Sequence, residues 1–208
     1  MNSEKSTLKR LKLLPRLFRK TDAEKIAPHT AQFLSRAVAA GLIYRINRGN
    51  YVNAFLLGMP EVEEVACFLR PPAYVSCEWA LNYHGITLQV PRVCTAITLS
   101  GAVGKQRSVE YQGTTIEFST IAAHLFRGFE ILPHFQIATP EKAILDALHL
   151  HRGLPASDEL EWDAVNRATL MTRAKVYPTV VNRRLQAIFR EVPVSRSSME
   201  RPKDAKDE

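Results

Sequence analysis

The residues whose types and spacing come closest to acid–base chemistry are Glu141, Lys142 and Asp146. On a helix, Lys142 and Asp146 lie one turn apart, so that an amine and a carboxylate can meet. The same residues are equally typical of a helix start followed by an intrahelical ion pair, because an acid in the first turn interacts favourably with the helix dipole. A nuclease-like enzyme therefore stays an alternative, and it would draw its catalytic groups from Glu110, Glu117, Glu141 and Lys142.

Other patterns of catalysis or metal binding are missing from the sequence. The histidines at 84, 124, 134, 149 and 151 follow no metal-ligand spacing, and there is no G-x-S-x-G or P-loop pattern. The chain has three cysteines, Cys67, Cys77 and Cys94, which form no C-x-x-C pair. An odd number of thiols argues against a disulfide framework, and we expect buried free cysteines in a reducing cytoplasm. We expect no enzymatic activity, no cofactor and no metal.

The sequence also predicts where the protein is found. No apolar run approaches the roughly 20 residues of a membrane span, and the basic N-terminus lacks the apolar core of a secretory signal. We expect a cytoplasmic protein without a membrane partner.

Positive charge is confined to one part of the chain. Residues 1–60 contain 11 Lys and Arg against three acids, a net charge of +8, whereas residues 61–208 sum to −1. Such an asymmetry indicates a polyanionic partner for the first segment alone.

The basic segment carries the pattern of a small helical module with a hairpin. Leu8, Leu11 and Leu14 recur at helical spacing, Thr21 begins a capping box for a helix over 22–27, and Thr30 can cap a helix that ends at Gly41. A strand over 42–46, a glycine turn over 47–50 and a second strand over 51–52 follow. This order is typical of a winged helix-turn-helix domain, which we predict over residues 1–58.

In such a domain the second helix of the pair enters the major groove and the hairpin, or wing, contacts the DNA backbone. We expect the inner face of that helix to carry Leu34, Ala37 and Val38. The candidate DNA-binding residues are the polar side chains of the helix and the wing: Thr30, Gln32, Ser35, Arg36, Arg45, Asn47, Arg48 and Asn50. A protein-binding use of the same module remains an alternative.

The rest of the chain predicts a mixed α+β domain over residues 59–192. We expect a helix over 61–69 with Glu61, Glu63 and Glu64 on a solvated face, a helix capped by Ser76, and strands over 93–99, 108–111, 114–118 and 135–138. Thr139 and Pro140 then begin a helix to about His149, and two or three helices follow. The tail, 193–208, is polar and is expected to be disordered.

Three segments resemble one family. The wing, residues 46–52, resembles that of the AbiEi-type antitoxins of type IV toxin–antitoxin systems. Residues 74–86 resemble the family segment that contains Ser76, Ala80, His84 and Gly85. Residues 137–146 resemble its helix start, with Pro140, Glu141, Lys142 and Asp146.

This resemblance implies a transcriptional repressor that binds inverted repeats in the promoter of its own operon. It also implies a functional partner, a nucleotidyltransferase-like toxin, which the second domain opposes. A protein that neutralises a toxin without binding an operator is a further alternative.

Overall fold

The computed structural model describes residues 2–101 and 107–191. The chain folds into helices and strands in a mixed α+β arrangement, which confirms the predicted class. The helices are α1 (Asn2–Leu11), α2 (Lys20–Glu24), α3 (Thr30–Ala39), α4 (Ala54–Leu57), α5 (Val62–Leu69), α6 (Cys77–Tyr83), α7 (Pro140–His149), α8 (Arg167–Ala174) and α9 (Thr179–Glu191). The strands are β1 (Leu17–Arg19), β2 (Tyr44–Asn47), β3 (Asn50–Val52), β4 (Ala73–Ser76), β5 (Val93–Thr98), β6 (Ser108–Tyr111), β7 (Thr114–Thr120), β8 (Phe129–Ile131) and β9 (Gln136–Ala138).

The N-terminal helices pack on a three-stranded antiparallel sheet in the order β1-β3-β2. Strand β1 is absent from the sequence-based prediction, because a three-residue strand is too short to show an alternating pattern. Its Phe18 is fully buried and stacks on Tyr51 of β3, with ring centroids 5.5 Å apart. The core of this part of the chain also contains Leu11 and Leu14, which the helical spacing of leucines marked.

Two predictions about the helix starts are wrong. Helix α2 begins at Lys20 with Arg19 at its N-cap, two residues before Thr21, because the Asp22 carboxylate accepts the Arg19 backbone N–H at 2.9 Å. Helix α3 has His29, not Thr30, at its N-cap. The Thr30 hydroxyl instead donates to the Ala27 carbonyl at 2.6 Å and closes the turn between the two helices.

The inner face of α3 is rotated from the predicted one. Leu34 and Ala37 are buried as expected, but Val38 is 41% exposed and Phe33 takes its place in the core. Residues 33, 34 and 37 follow the i, i+1, i+4 spacing of one helix face.

The second part of the chain is built on a six-stranded mixed sheet in the order β6-β7-β5-β4-β9-β8. Strands β4 and β9, and β5 and β7, pair in parallel, and the other neighbours are antiparallel. The predicted hairpin is confirmed: β6 and β7 flank Gln112 and Gly113, whose φ angles of +51° and +79° fit a tight two-residue turn. The structure also contains helix α4 and edge strand β8, for which the sequence predicted no element. Helix α9 is one of the C-terminal helices that were predicted without bounds.

Helix α7 begins as predicted. Thr139 is its N-cap, with the hydroxyl oxygen accepting the Lys142 N–H at 3.4 Å, and Pro140 follows in the first turn. The helix is almost entirely enclosed, since eight of its residues, 141 to 148, are buried.

The N-terminal unit is docked on α5. Arg16 donates to the Glu64 carboxylate at 3.2 Å and to the Met59 carbonyl at 3.0 Å. Glu64 is only 8% exposed, so the prediction that it lies on a solvated face is wrong. Val52 of β3 belongs to the main core of the second part, which makes the two cores contiguous.

The predicted disordered tail, 193–208, lies outside the described residues, as does the segment 102–106. All three cysteines have free thiols, with Cys77 and Cys94 buried as expected. Among the described residues, no helix combines the length and the apolar composition needed to cross a bilayer.

Candidate nucleic-acid interface and buried motif cluster

The outer face of α3 carries three of the predicted base-reading residues together. Gln32, Ser35 and Arg36 are all exposed, and their i, i+3, i+4 spacing places them on one side of the helix. Their amide, hydroxyl and guanidinium groups are the kinds that hydrogen-bond to base edges in the major groove. No acidic residue lies in the first turn of α3, which leaves the positive end of the helix dipole unopposed there.

Thr30 is not part of this face. Only 8% of its surface is exposed, and its hydroxyl is bonded to Ala27. The assignment of Thr30 as a base-reading residue is therefore corrected: it shapes the turn that orients α3. Sequence reasoning missed this because Thr at a helix start is more often a cap than a turn donor.

The wing consists of β2, β3 and the loop Arg48-Gly49, and it presents Arg45 and Arg48 to solvent. Gly49 has a φ of +88°, a left-handed conformation that glycine adopts without steric cost. Its carbonyl accepts the Lys20 backbone N–H at 2.8 Å, which fixes the wing tip to the start of α2. The wing tip that carries Arg48 is thus held beside the start of α2 by a main-chain hydrogen bond.

Asn47 and Asn50 flank the wing loop and bond mainly to each other. The Asn50 amide nitrogen donates to the Asn47 side-chain oxygen at 2.6 Å, and both residues are half-buried. The Asn47 carbonyl also accepts the Arg45 Nε at 3.1 Å. The structure therefore gives both asparagines a role in shaping the wing, with less free hydrogen-bonding capacity than the arginines.

Part of the positive charge of the first sixty residues is used inside the protein. Arg16 is paired with Glu64, and Arg19 donates to the Phe68 carbonyl at 3.4 Å while its guanidinium lies 5.6 Å from the Phe68 ring centre. These contacts join the N-terminal unit to α5. The arginines of α3 and the wing, Arg36, Arg45 and Arg48, are exposed.

A second group of predicted residues forms a buried polar cluster, defined by Tyr74, Ser76, Lys142, Asp146 and Tyr177. Asp146 is fully buried and accepts four hydrogen bonds, from Lys142 at 2.5 Å, Ser76 at 2.8 Å, Tyr177 at 2.9 Å and Tyr74 at 3.0 Å. The Lys142 ammonium also donates to the Tyr177 oxygen at 2.6 Å. Each charge is surrounded by partners, which offsets the cost of removing it from water.

Burial changes the proton affinities within this cluster. It lowers the pKa of Lys142, and the adjacent Asp146 carboxylate opposes that shift. It also raises the pKa of Tyr74 and of Tyr177, and the negative charge of Asp146 raises both further. Both phenols are thus held as neutral donors to the carboxylate.

The two family-like segments of the second domain meet in this cluster. The Ser76 hydroxyl of the first segment bonds to Asp146 of the second, and the His84 Nε2 lies 2.8 Å from the Ala138 carbonyl. Ala80 is fully buried, and Gly85 ends α6 with a φ of +68°. Ser76 was expected to cap α6, but it makes no side-chain cap hydrogen bond, because its hydroxyl is bonded to Asp146.

Sequence reasoning found Ser76, Lys142 and Asp146 but not the two tyrosines. Tyr74 stands in the first family-like segment and Tyr177 lies beyond α8, 31 residues after Asp146. No periodic signal links Tyr177 to α7. Only folding of the C-terminal helices onto α7 brings it to the carboxylate.

The residues named for a nuclease-like enzyme have separate partners. Glu110 accepts from Thr115 at 2.5 Å and Glu117 pairs with Arg152 at 2.7 Å. Glu141 accepts the Asn166 backbone N–H at 3.0 Å, whereas Lys142 bonds to Asp146. None of these contacts joins two of the four residues. Residues 2–101 and 107–191 also hold no group of three His, Cys, Asp or Glu side chains arranged to bind a metal ion.

Comparison with known proteins found no match to this chain, either among protein-family models or among curated proteins.

Proposed function

We propose that this protein is a double-stranded DNA-binding transcriptional repressor that inserts α3 into the major groove and places the wing on the backbone. The observation that carries the proposal is the exposed face of Gln32, Ser35 and Arg36 on α3, together with the exposed Arg45 and Arg48 of the wing. The helix carries side chains that can bond to base edges, and the wing carries guanidinium groups suited to phosphates.

The order of elements supports a winged helix-turn-helix assignment for the N-terminal unit. A short α2, a tight turn and α3 are followed by the hairpin β2–β3, and β1 pairs with β3 to complete a small sheet. In that arrangement the second helix of the pair is the recognition helix. A duplex is favoured over a single strand because α3 offers an exposed polar face, and the part of the chain that the structure describes has no exposed row of aromatic side chains for base stacking.

An antitoxin role for the second domain is part of this proposal and rests on the resemblance to AbiEi-type antitoxins. It is supported by the way the two family-like segments meet, through Ser76 with Asp146 and His84 with Ala138. The cluster explains why such segments would occur together in one fold. It gives them a structural use, so the surface that opposes a nucleotidyltransferase-like toxin would lie elsewhere on the domain.

The test is a binding measurement with the full chain and a labelled duplex taken from upstream of its own gene. We expect saturable binding that is tighter than binding to a shuffled duplex of equal length, and log affinity that falls linearly with log salt. Replacing Arg36 with Ala should reduce the preference for the upstream sequence. Equal, weak binding to both duplexes would contradict the repressor function and favour a toxin-binding role for the basic module.

A further inference from the structure

A polar cleft of about 830 Å³ separates the wing from the edge of the large sheet. We call it the wing cleft. It is lined by three arginines, Arg19, Arg48 and Arg70, and by Ser100, Ser108 and Glu110 among its polar groups. Arg70 comes from the second domain, directly after α5, whereas Arg19 and Arg48 come from the N-terminal unit. Both domains therefore contribute positive charge to one concave surface.

The wing is held beside this edge by packing. Strand β2 of the wing lies against β6, the edge strand of the large sheet. Ile46 of β2 is partly buried against the main core, so the wing cannot swing freely from the second domain. A DNA backbone that reaches Arg48 must therefore also pass close to the β6 edge.

Aromatic rings lie against the guanidinium groups of Arg19 and Arg70, one from each part of the chain. The Arg70 guanidinium lies 5.0 Å from the centre of the Phe118 ring, and that of Arg19 lies over Phe68. An aromatic face orients a guanidinium but does not neutralise it. Among the described residues, Glu110 is the one acid that lines the cleft, and its carboxylate accepts a hydrogen bond from Thr115 of β7 at 2.5 Å.

We propose that the wing cleft is a second contact surface for the DNA backbone, in which Arg70 of the second domain contacts a phosphate next to the one held by Arg48. The partner is the same duplex, and this inference rests on the proposed function. The second domain thereby extends the DNA interface beyond the N-terminal unit. Over residues 2–101 and 107–191, three arginines and one glutamate line the cleft, a positive balance that a phosphate chain complements.

The experiment measures affinity for the upstream duplex over a series of salt concentrations, using the full chain. Arg70→Ala should reduce the magnitude of the log–log salt slope by about 0.9, the value for one phosphate contact in B-DNA, and weaken binding to upstream and shuffled duplexes alike. Arg70→Lys should restore most of the slope, because it restores the charge. Arg127→Ala is the matched control: it removes one exposed arginine of the second domain that does not line the cleft.

A second variant covers the case in which Arg70→Ala disturbs packing around Phe118. Ser108 is exposed on β6, so Ser108→Glu should add a negative charge to the cleft without altering the core, and Ser108→Gln controls for its size. We expect the Glu variant to bind several-fold more weakly and the Gln variant to bind as the wild type does.

Two outcomes separate this inference from the proposed function. If Arg48→Ala reduces the salt slope but Arg70→Ala and Ser108→Glu leave slope and affinity unchanged, the wing cleft is not a DNA contact and the repressor proposal stands. If the wild type shows no salt-dependent binding to duplex DNA, both fall.

Discussion

The α3–wing surface and the buried motif cluster use charge in opposite ways. On the surface, Arg36, Arg45 and Arg48 are exposed, with no carboxylate in the first turn of α3. In the cluster, Lys142 is 2% exposed and Asp146 is fully buried, and the two are hydrogen-bonded to each other and to the surrounding hydroxyls. Exposed charge is available to a partner, whereas buried charge must find its partner within the chain. The same chain therefore contains one charged region suited to binding and one suited to holding the fold together.

A segment that resembles a family motif is not by itself an active site. Lys142 and Asp146 have the spacing of an acid–base pair, yet the structure encloses both and shares Asp146 among four donors. A substrate would have to displace those bonds to reach the carboxylate. We therefore assign the cluster to stability.

The largest effect is expected when one charge of the cluster is removed. Asp146→Asn leaves Lys142 buried without a counter-ion and should lower the free energy of unfolding by about 3–5 kcal/mol. Urea unfolding followed by circular dichroism measures this. Asp158→Asn, at an exposed acid, is the control and should change stability by less than about 0.5 kcal/mol.

The assignment of the cluster to stability would be contradicted if Asp146→Asn unfolded at the wild-type urea concentration. It would also be contradicted if the folded variant lost its affinity for DNA. A variant that folds with wild-type stability but no longer binds DNA would identify the cluster as a functional site.

The next effect concerns base reading by α3. Arg36→Ala should cost about 1–3 kcal/mol in affinity for the upstream duplex and much less for a shuffled one, because a contact to a base edge is lost. Fluorescence anisotropy with both duplexes measures the difference, and unfolding should be unchanged since Arg36 is exposed. An equal loss on both duplexes would make Arg36 a phosphate contact instead.

A smaller effect is expected from the wing. Arg48→Ala should weaken binding to all duplexes alike and reduce the magnitude of the salt slope by about 0.9. Arg48→Lys retains the positive charge and should keep the slope close to that of the wild type. A wild-type slope for Arg48→Ala would show that Arg48 does not contact DNA.

The smallest effect is a pH dependence of stability at alkaline pH. Burial raises the pKa of Tyr111 to about 12, and it also raises the pKa of Tyr74 and Tyr177. The folded chain thus keeps these protons above pH 10, where tyrosines of the unfolded chain lose theirs. The free energy of unfolding should therefore fall as the pH rises above about 10.

Urea unfolding at pH 8, 10 and 11 measures this dependence. Because lysines also titrate in that range, a tyrosine variant is needed to isolate the contribution of the buried phenols. Tyr177→Phe should show a shallower fall than the wild type, whereas Tyr44→Phe, at a residue 49% exposed, should match the wild type. Identical curves for Tyr177→Phe and the wild type would show that the buried phenols do not contribute.

The candidate site was predictable from sequence where its signal is local. The positions of Gln32, Ser35 and Arg36 on one helix face follow from helical spacing alone, and the cap–proline start of α7 follows from three adjacent residues. The helix start at Lys20 was missed because Asp22 competes with Thr21 as a capping side chain, and the sequence does not decide between them. The sequence predicted Val38 on the inner face of α3, whereas Phe33 is buried there. Both residues fit an apolar stripe, and only the packing of the core selects one of them.

By itself, the sequence determined the location of the positive charge, the α+β class, the turn glycines and most helices and strands, because each depends on residues that are neighbours in the chain. Tertiary structure alone decided which charges are available. It buried Glu64 against Arg16, brought donors from β4 and from the segment after α8 to Asp146, and placed Arg70 in one cleft with Arg48 of the wing. Those outcomes bring together residues that are 22 to 72 positions apart in the chain. No local pattern encodes such contacts, because they exist only after the elements have packed.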